Sequence, residues 1–335
     1  PTSHSFSPLQ MTYSLSEPGE NQTISDGFIL VGFSYLNELQ ILLFLLLLVT
    51  YPIALVGNLL VILLIILNSS LHTPMYFFLV NLSLLEICYT TNVTPQLLVH
   101  LLVEQKTISF VGCMVQMLVF TALALAECCL LAAMAYDRYV AICHPLHYTT
   151  IMNGRVCAML LGVSWTIGLL VESAETTWLF SLPFCGSNRI PHFFCDIRPV
   201  EMMVCADVSK NEIVGLTVSA LFIMGPFILI ILSYILILST ILRLPSAEGR
   251  RKAFSTCSSH LIVVTLFYGT CLSTYLKPIS SYTPESDHWI SLIYTVVTPI
   301  LNPIIYSLRN KEVHRAFRKT LEKSVCSQLA EGKGE

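Results

Sequence analysis

Lysine and arginine are missing from the first 38 residues, and charged residues make up only 12% of the 335-residue chain. A soluble domain carries about 25%. With 54% of its residues hydrophobic, a water-soluble fold of this size could not hide its apolar surface. The bilayer is therefore the expected solvent. Other absences narrow the chemistry. No GxSxG, HExxH, P-loop or dinucleotide fingerprint occurs, and His144, His147 and His260 lack carboxylates at useful spacing, so no enzyme is expected. The basic residues form a thin rim, as topology alone requires, which leaves nucleic-acid binding unsupported. Residues 1–38 contain no basic segment leading into an apolar core, so no cleavable signal peptide is expected and the first span serves as the anchor. Met11 could be a start, which would make residues 1–10 an optional extension.

Long apolar runs are what the chain does have. They recur near 39–67, 75–98, 111–136, 156–175, 212–242, 258–276 and 289–308. Each is long enough for a ~30 Å hydrocarbon core at ~1.5 Å rise per residue, and together they predict seven helical spans. Placing the N-terminus outside leaves 13 basic residues on the inner side and 5 on the outer, a positive-inside bias. The C-terminus then lies in the cytoplasm. Of the sequons, only Asn21-Gln-Thr falls in an outer segment, and Asn21 is the expected glycosylation acceptor. The reading is thus an all-α membrane protein. It has an outer tail (1–38), a seven-helix domain (39–308) with a long outer loop (176–211), and a cytoplasmic tail (309–335). In that tail Val313, Phe317 and Leu321 recur every four residues among basic ones, which predicts a short amphipathic eighth helix on the membrane lipids. The spans do not pair into two similar halves, which weakens an inverted-repeat transporter.

Of the 12 cysteines, most fall within spans or on the inner side, where thiols stay reduced. Four face the oxidising side: Cys113, Cys185, Cys195 and Cys205. Four permit three connectivities. The expected pairing is Cys113–Cys195, stapling the loop over the bundle, with Cys185–Cys205 closing the loop on itself. No CxxC pair there favours zinc.

Two acids sit inside the expected spans, Glu86 in the second and Glu127 in the third. A mid-bilayer charge costs at least ~2.5–3.5 kcal/mol, so each should face the bundle interior with a partner. With Asn58, Ser83 and Asn302 they could hold a sodium ion or a shared proton, or be protonated and merely hydrogen-bonded. No other cofactor is expected, and the seventh span has no lysine for a retinal Schiff base. The outer half of the third span, Cys113 to Leu125, has no acid to meet an amine ligand. Phe120, Thr121, Ala124 and Leu125 would line that wall, facing Tyr268, Cys271, Leu272 and Tyr275 of the sixth span. Such a pocket suits a small, neutral, hydrophobic molecule.

Five motifs then coincide in order: "GN" at 57–58 with "LHTPMYFFLVNLSLLEICY" at 71–89, "MAYDRYVAICHPLHY" at 134–148, "SY" at 233–234, "RRKAFSTCSSHL" at 250–261 and "TPILNPIIYSLRN" at 298–310. In these the chain resembles the olfactory receptor family of rhodopsin-like G-protein-coupled receptors, from about Phe28 to Lys319. The loop triplet Cys185, Cys195 and Cys205 fits the same pattern. One departure is Glu86, which stands where the family more usually has Asp.

The resemblance implies a plasma-membrane receptor for a small hydrophobic odorant. It also implies coupling to a heterotrimeric stimulatory olfactory-type G protein that raises cyclic AMP. Cys113–Cys195 would be the shared staple, and the pocket would lie among spans three, five, six and seven, with Phe222 added to its contacts. At the inner end Asp137 would restrain Arg138, beside Tyr139. Activation would swing the sixth span's end, Arg250 to Lys252, away from Arg138, with Tyr234 and Tyr306 turning in to support it. A receptor for a non-odorant metabolite or lipid shares this mechanism. A small-molecule transporter or channel is the remote alternative.

Overall fold

A computed structural model describes residues 27–185, 187–205, 208–243, 245–276, 283–308 and, in the tail, 313, 315–318 and 320. Asn21 lies outside these residues, as do the Lys252 side chain and most of the segment expected to form the eighth helix.

Among the described residues the chain forms a bundle of seven long helical segments. They are α1 (Leu39–Leu67), α2 (Pro74–Leu102), α3 (Phe110–Cys143), α5 (Gly154–Ser181), α7 (Val208–Ser219) continuing into α8 (Gly225–Leu242), α9 (Ala247–Tyr275), and α10 (Pro284–Leu292) continuing into α11 (Thr298–Leu308). Two short helices, α4 (Tyr148–Ile151) and α6 (Ile197–Glu201), lie in the connections. Among the described residues, six segments are long and apolar enough to cross a membrane. The other, α2, matches α1 in length at 29 residues but carries Ser83, Glu86, Thr90, Asn92 and Thr94. It packs between α1 and α3, where those groups are shielded from lipid.

The bundle's burial pattern is the reverse of a soluble protein's. α1 exposes Leu42, Leu45, Leu46 and Val49 while burying Asn58. Apolar groups can face outward only where the solvent is hydrocarbon, and the polar ones must then satisfy each other inside. This arrangement makes the chain a multi-pass membrane protein.

Local chemistry sets the helix ends. The side chains of Ser109, Asn153 and Ser246 each cap a start, accepting from the backbone amides of Gly112, of Arg155 and Val156, and of Gly249. Side chains of this type satisfy amides that have no partner in the first turn. Two π-helical turns, Ala220–Met224 and Ile293–Val297, each end two residues before a proline, Pro226 and Pro299. Proline lacks the amide that an i→i−4 bond requires, and a widened turn absorbs the change in register.

Several helices run beyond the apolar runs. α3 reaches Cys143 rather than 136, α9 begins at Ala247 rather than 258, and α5 ends at Ser181, so the connecting loop starts at Leu182 rather than 176. The extra turns project past the hydrocarbon core, where hydropathy no longer marks a helix. Pro183 ends α5 by holding Leu182 extended (ψ 152°).

One end of the bundle is covered. A three-stranded sheet joins β1 (Phe28–Leu30), β2 (Thr107–Ile108) and β3 (Arg189–Ile190) in the order β2-β1-β3. β1 runs antiparallel to β2 and parallel to β3. Residues 28–30 therefore form part of the cover over the bundle. Gly27 permits the approach: at φ +100°, a Cβ there would lie 2.4 Å from the Ile108 carbonyl oxygen. The cover is pinned by disulfides Cys113–Cys195 and Cys185–Cys205, with Cα separations of 5.4 and 5.3 Å.

Candidate functional site

Beneath the disulfide-pinned cover, α3, α5, α7, α9 and the loop helix α6 enclose a cavity of about 550 Å³ including its mouth. Thr121, Ala124, Leu125 and Cys128 come from α3, with Cys271 and Tyr275 opposite on α9. Val218, Ser219 and the buried Ile223 form the side toward the fifth span. Of the residues named from the sequence, Thr121, Ala124, Leu125, Cys271 and Tyr275 line this cavity. Phe120, Phe222, Tyr268 and Leu272 are not among the lining residues.

Each is engaged elsewhere. Phe120 is fully buried, with its ring 4.5 Å from Tyr89, 4.6 Å from Phe194 and 5.7 Å from Tyr294. Tyr268 is taken up by a contact between helices: its hydroxyl donates to the Cys128 carbonyl at 3.3 Å and its ring packs on Phe227. Phe222 and Leu272 pack half-buried against the main core. The Tyr268–Cys128 bond ties the sixth span to the third at a residue that also lines the cavity.

The cavity also carries groups that the span-by-span reading passes over. Glu172 and Glu175 of α5, and Arg198 and Glu201 of α6, line it. The signal for the first two was present: acids three apart in an otherwise apolar segment face one side of a helix, and an intramembrane acid is a functional candidate by default. The loop pair carries no such signal, because only the fold brings α6 over the bundle. Beside the cavity, Tyr275 donates to both oxygens of Asp196 at 3.1 Å. Burial pushes the Asp196 carboxyl up to about 6, with His192, the Ile197 amide and the Tyr275 hydroxyl working in the opposite direction. Asp196 also anchors α6, accepting from the Ile197 amide.

Deeper in the bundle, Asn302 donates to Glu86. Asn58 donates to the carbonyls of Ala54 and Pro299, each at 2.9 Å, joining the first span to the seventh. Ser83, Glu86, Glu127 and Asn302 are all buried. Three acceptor oxygens here have no hydrogen-bond partner: Asn58 Oδ1, Asn302 Oδ1 and Glu127 Oε1.

At the far end of α3 the Arg138 guanidinium donates through Nε and a terminal nitrogen to the buried Asp137 Oδ2. The Tyr148 hydroxyl donates to Asp137 Oδ1 at 2.7 Å. Both carboxylate oxygens are thus held. Burial and the neighbouring Asp137 charge raise the Tyr148 phenol, which keeps it a donor. Tyr139 turns away to His144 at 3.0 Å. Tyr234 meets the buried His260 Nδ1 at 2.7 Å, while the buried Tyr306 hydroxyl has no hydrogen-bond partner. Arg250 is half-buried at the start of α9. Tyr148 thus holds Asp137 and His260 holds Tyr234, two partners whose spacing gave no hint.

Comparison with known proteins bears on what this arrangement is. A family model described as olfactory receptor matches residues 47–324. Among human relatives, the chain is 56% identical to olfactory receptor 10A4 over 310 residues, covering 92% of this chain and 98% of that protein. It is 53% identical to olfactory receptor 10C1, covering 92% and 99% of the two chains, and 51% identical to olfactory receptor 10A7, covering 92% and 98%. A cavity under a disulfide-pinned cover, a buried polar core and a clasped arginine at the far end occur in one seven-helix chain, and that chain belongs to the olfactory receptor family.

Proposed function

We propose that this protein is an odorant receptor. A small, mostly apolar volatile occupies the cavity beneath the cover, and the response is activation of a stimulatory olfactory-type G protein that raises cyclic AMP. The observation that carries the reading is the pairing of a largely apolar cavity under the disulfide-pinned cover at one end of α3 with a clasped Arg138 at the other.

On this reading the protein sits in the plasma membrane with its disulfide end outside. The oxidised cysteines and the positive-inside count support that orientation. A ligand against Cys271, Tyr275 and Cys128 loads the α3–α9 contact at Tyr268 directly. Movement of α9 would separate Tyr234 from His260 and open a groove beside Arg138 for the G protein. The ligand shifts the equilibrium only by its differential affinity for the open and clasped forms. The buried cluster around Glu86 would hold a sodium ion or a shared proton in the clasped form. The three unpartnered oxygens of Asn58, Asn302 and Glu127 support a cation there.

A cyclic AMP screen of cells displaying the chain against a chemically diverse volatile library tests the reading. A concentration-dependent response to at least one volatile is expected. Responses confined to involatile metabolites or lipids would replace the odorant assignment, and ligand-driven flux without G protein would favour a transporter.

A further inference from the structure

The third span offers the cavity no acid, yet the cavity is acidic. Its apolar floor of Ala124, Leu125, Cys128 and Ile223 faces Glu172, Glu175 and Glu201, with Arg198 beside them. Arg198 is already engaged. Its guanidinium donates to Glu201 Oε2 at 3.4 Å and to the Tyr275 carbonyl at 2.6 Å. Glu172 is only 3% exposed, and its Oε2 has no hydrogen-bond partner. A buried acceptor left without a donor is costly, and a ligand's N–H would remove that cost. The carboxylates also converge. A Cβ on Gly215 would lie 3.2 Å from Glu201 Oε1 and 3.9 Å from Glu175 Oε1, so the bare backbone of the fifth span leaves the space between them open.

We propose that the cavity selects a protonated aliphatic amine, its ammonium group among Glu172, Glu175 and Glu201 and its hydrocarbon body over Ala124, Leu125 and Ile223. An ammonium brings a second positive charge and three N–H donors to a wall where three acids face one arginine that already donates to Glu201 and the Tyr275 carbonyl. A carboxylate ligand would add another negative group to three acids. An alcohol supplies one donor and no charge, and an aldehyde supplies neither. The assignment rests on the cavity being the ligand site of a receptor, and it names the ligand's chemical class.

The test uses cells displaying the full chain and compares matched compounds by cyclic AMP: octylamine with octanol, octanal and octanoate, and cyclohexylmethylamine with cyclohexylmethanol. A charge-assisted contact is worth about tenfold or more in affinity, so each amine is expected to act at least about tenfold below its alcohol partner. Glu172→Gln keeps the shape and removes the charge. It is expected to raise the amine concentration needed by about tenfold and to shift the alcohol little, at equal surface staining. Glu175→Gln reads the same preference if the first variant fails to reach the surface. An alcohol or aldehyde as potent as its amine overturns the amine assignment and leaves the receptor reading standing. So does an undiminished amine preference in the variants, or a response confined to volatiles lacking nitrogen. Silence toward these compounds and the whole volatile library overturns both.

Discussion

Arg138 is held through Asp137, and Asp137 is held by Tyr148. The second contact makes the first more than an exposed ion pair, because both oxygens of a fully buried carboxylate are satisfied at once. Tyr148→Phe removes only the hydroxyl that meets Asp137 Oδ1. Losing about 1 kcal/mol of restraint would shift a two-state equilibrium about fivefold. Ligand-free cyclic AMP, normalised to surface density, should therefore rise severalfold. An unchanged basal level would remove Tyr148 from the resting contact. Residue pattern placed Asp137 and Arg138 at the end of a span. The Tyr148 contact needs the chain to fold back from α4 across 11 positions, and no periodicity encodes that.

Among the elements, α3 and α5 approach closely at Gly168. A Cβ on that residue would lie 2.4 Å from the Ala122 carbonyl oxygen, which is backbone and cannot swing aside. Small residues allow such contact between membrane helices, where lipid offers little drive for association. Gly168→Val should force the two helices apart and lower surface expression severalfold. Gly162→Val, on the same helix with nothing within 4 Å of its Cβ, is the matched control and should leave expression near normal. Equal expression of the two variants would contradict this account of the interface. The existence of the helices was legible in the sequence, because apolar runs must cross hydrocarbon. Their true ends were not, since the projecting turns are polar and are fixed by caps such as Ser246 and Asn153. The short strands β1–β3 and helix α6 were also hidden. Two- and three-residue pairings carry no periodic signal, and β3 and α6 lie in or beside the loop that Cys113–Cys195 ties to α3.

Across the whole molecule, charge and polarity are distributed by depth. Lipid-facing surfaces are aliphatic, the interior holds Asn58, Glu86, Glu127 and Asn302, and the two ends carry different machinery. The α3 side of the cavity holds Thr121, Ala124 and Leu125, on a helix that runs buried through the bundle on nearly every side. On the acidic side, Glu172 and Glu175 were legible as acids three apart in a membrane helix, whereas Arg198 and Glu201 join them only because α6 folds over the bundle. Phe120 and Tyr268 show the limit of reading a face from spacing: each is inward, but turned to a neighbouring helix rather than to the cavity. The account's central claim is that a ligand at one end of α3 is reported through Arg138 at the other. The most direct measurement is cyclic AMP against agonist concentration for the natural chain and Arg138→Ala at matched surface density. The account predicts a saturable response in the natural chain and its loss, by at least about tenfold in maximal signal, in the variant. An Arg138→Ala receptor that signals like the natural chain would contradict it.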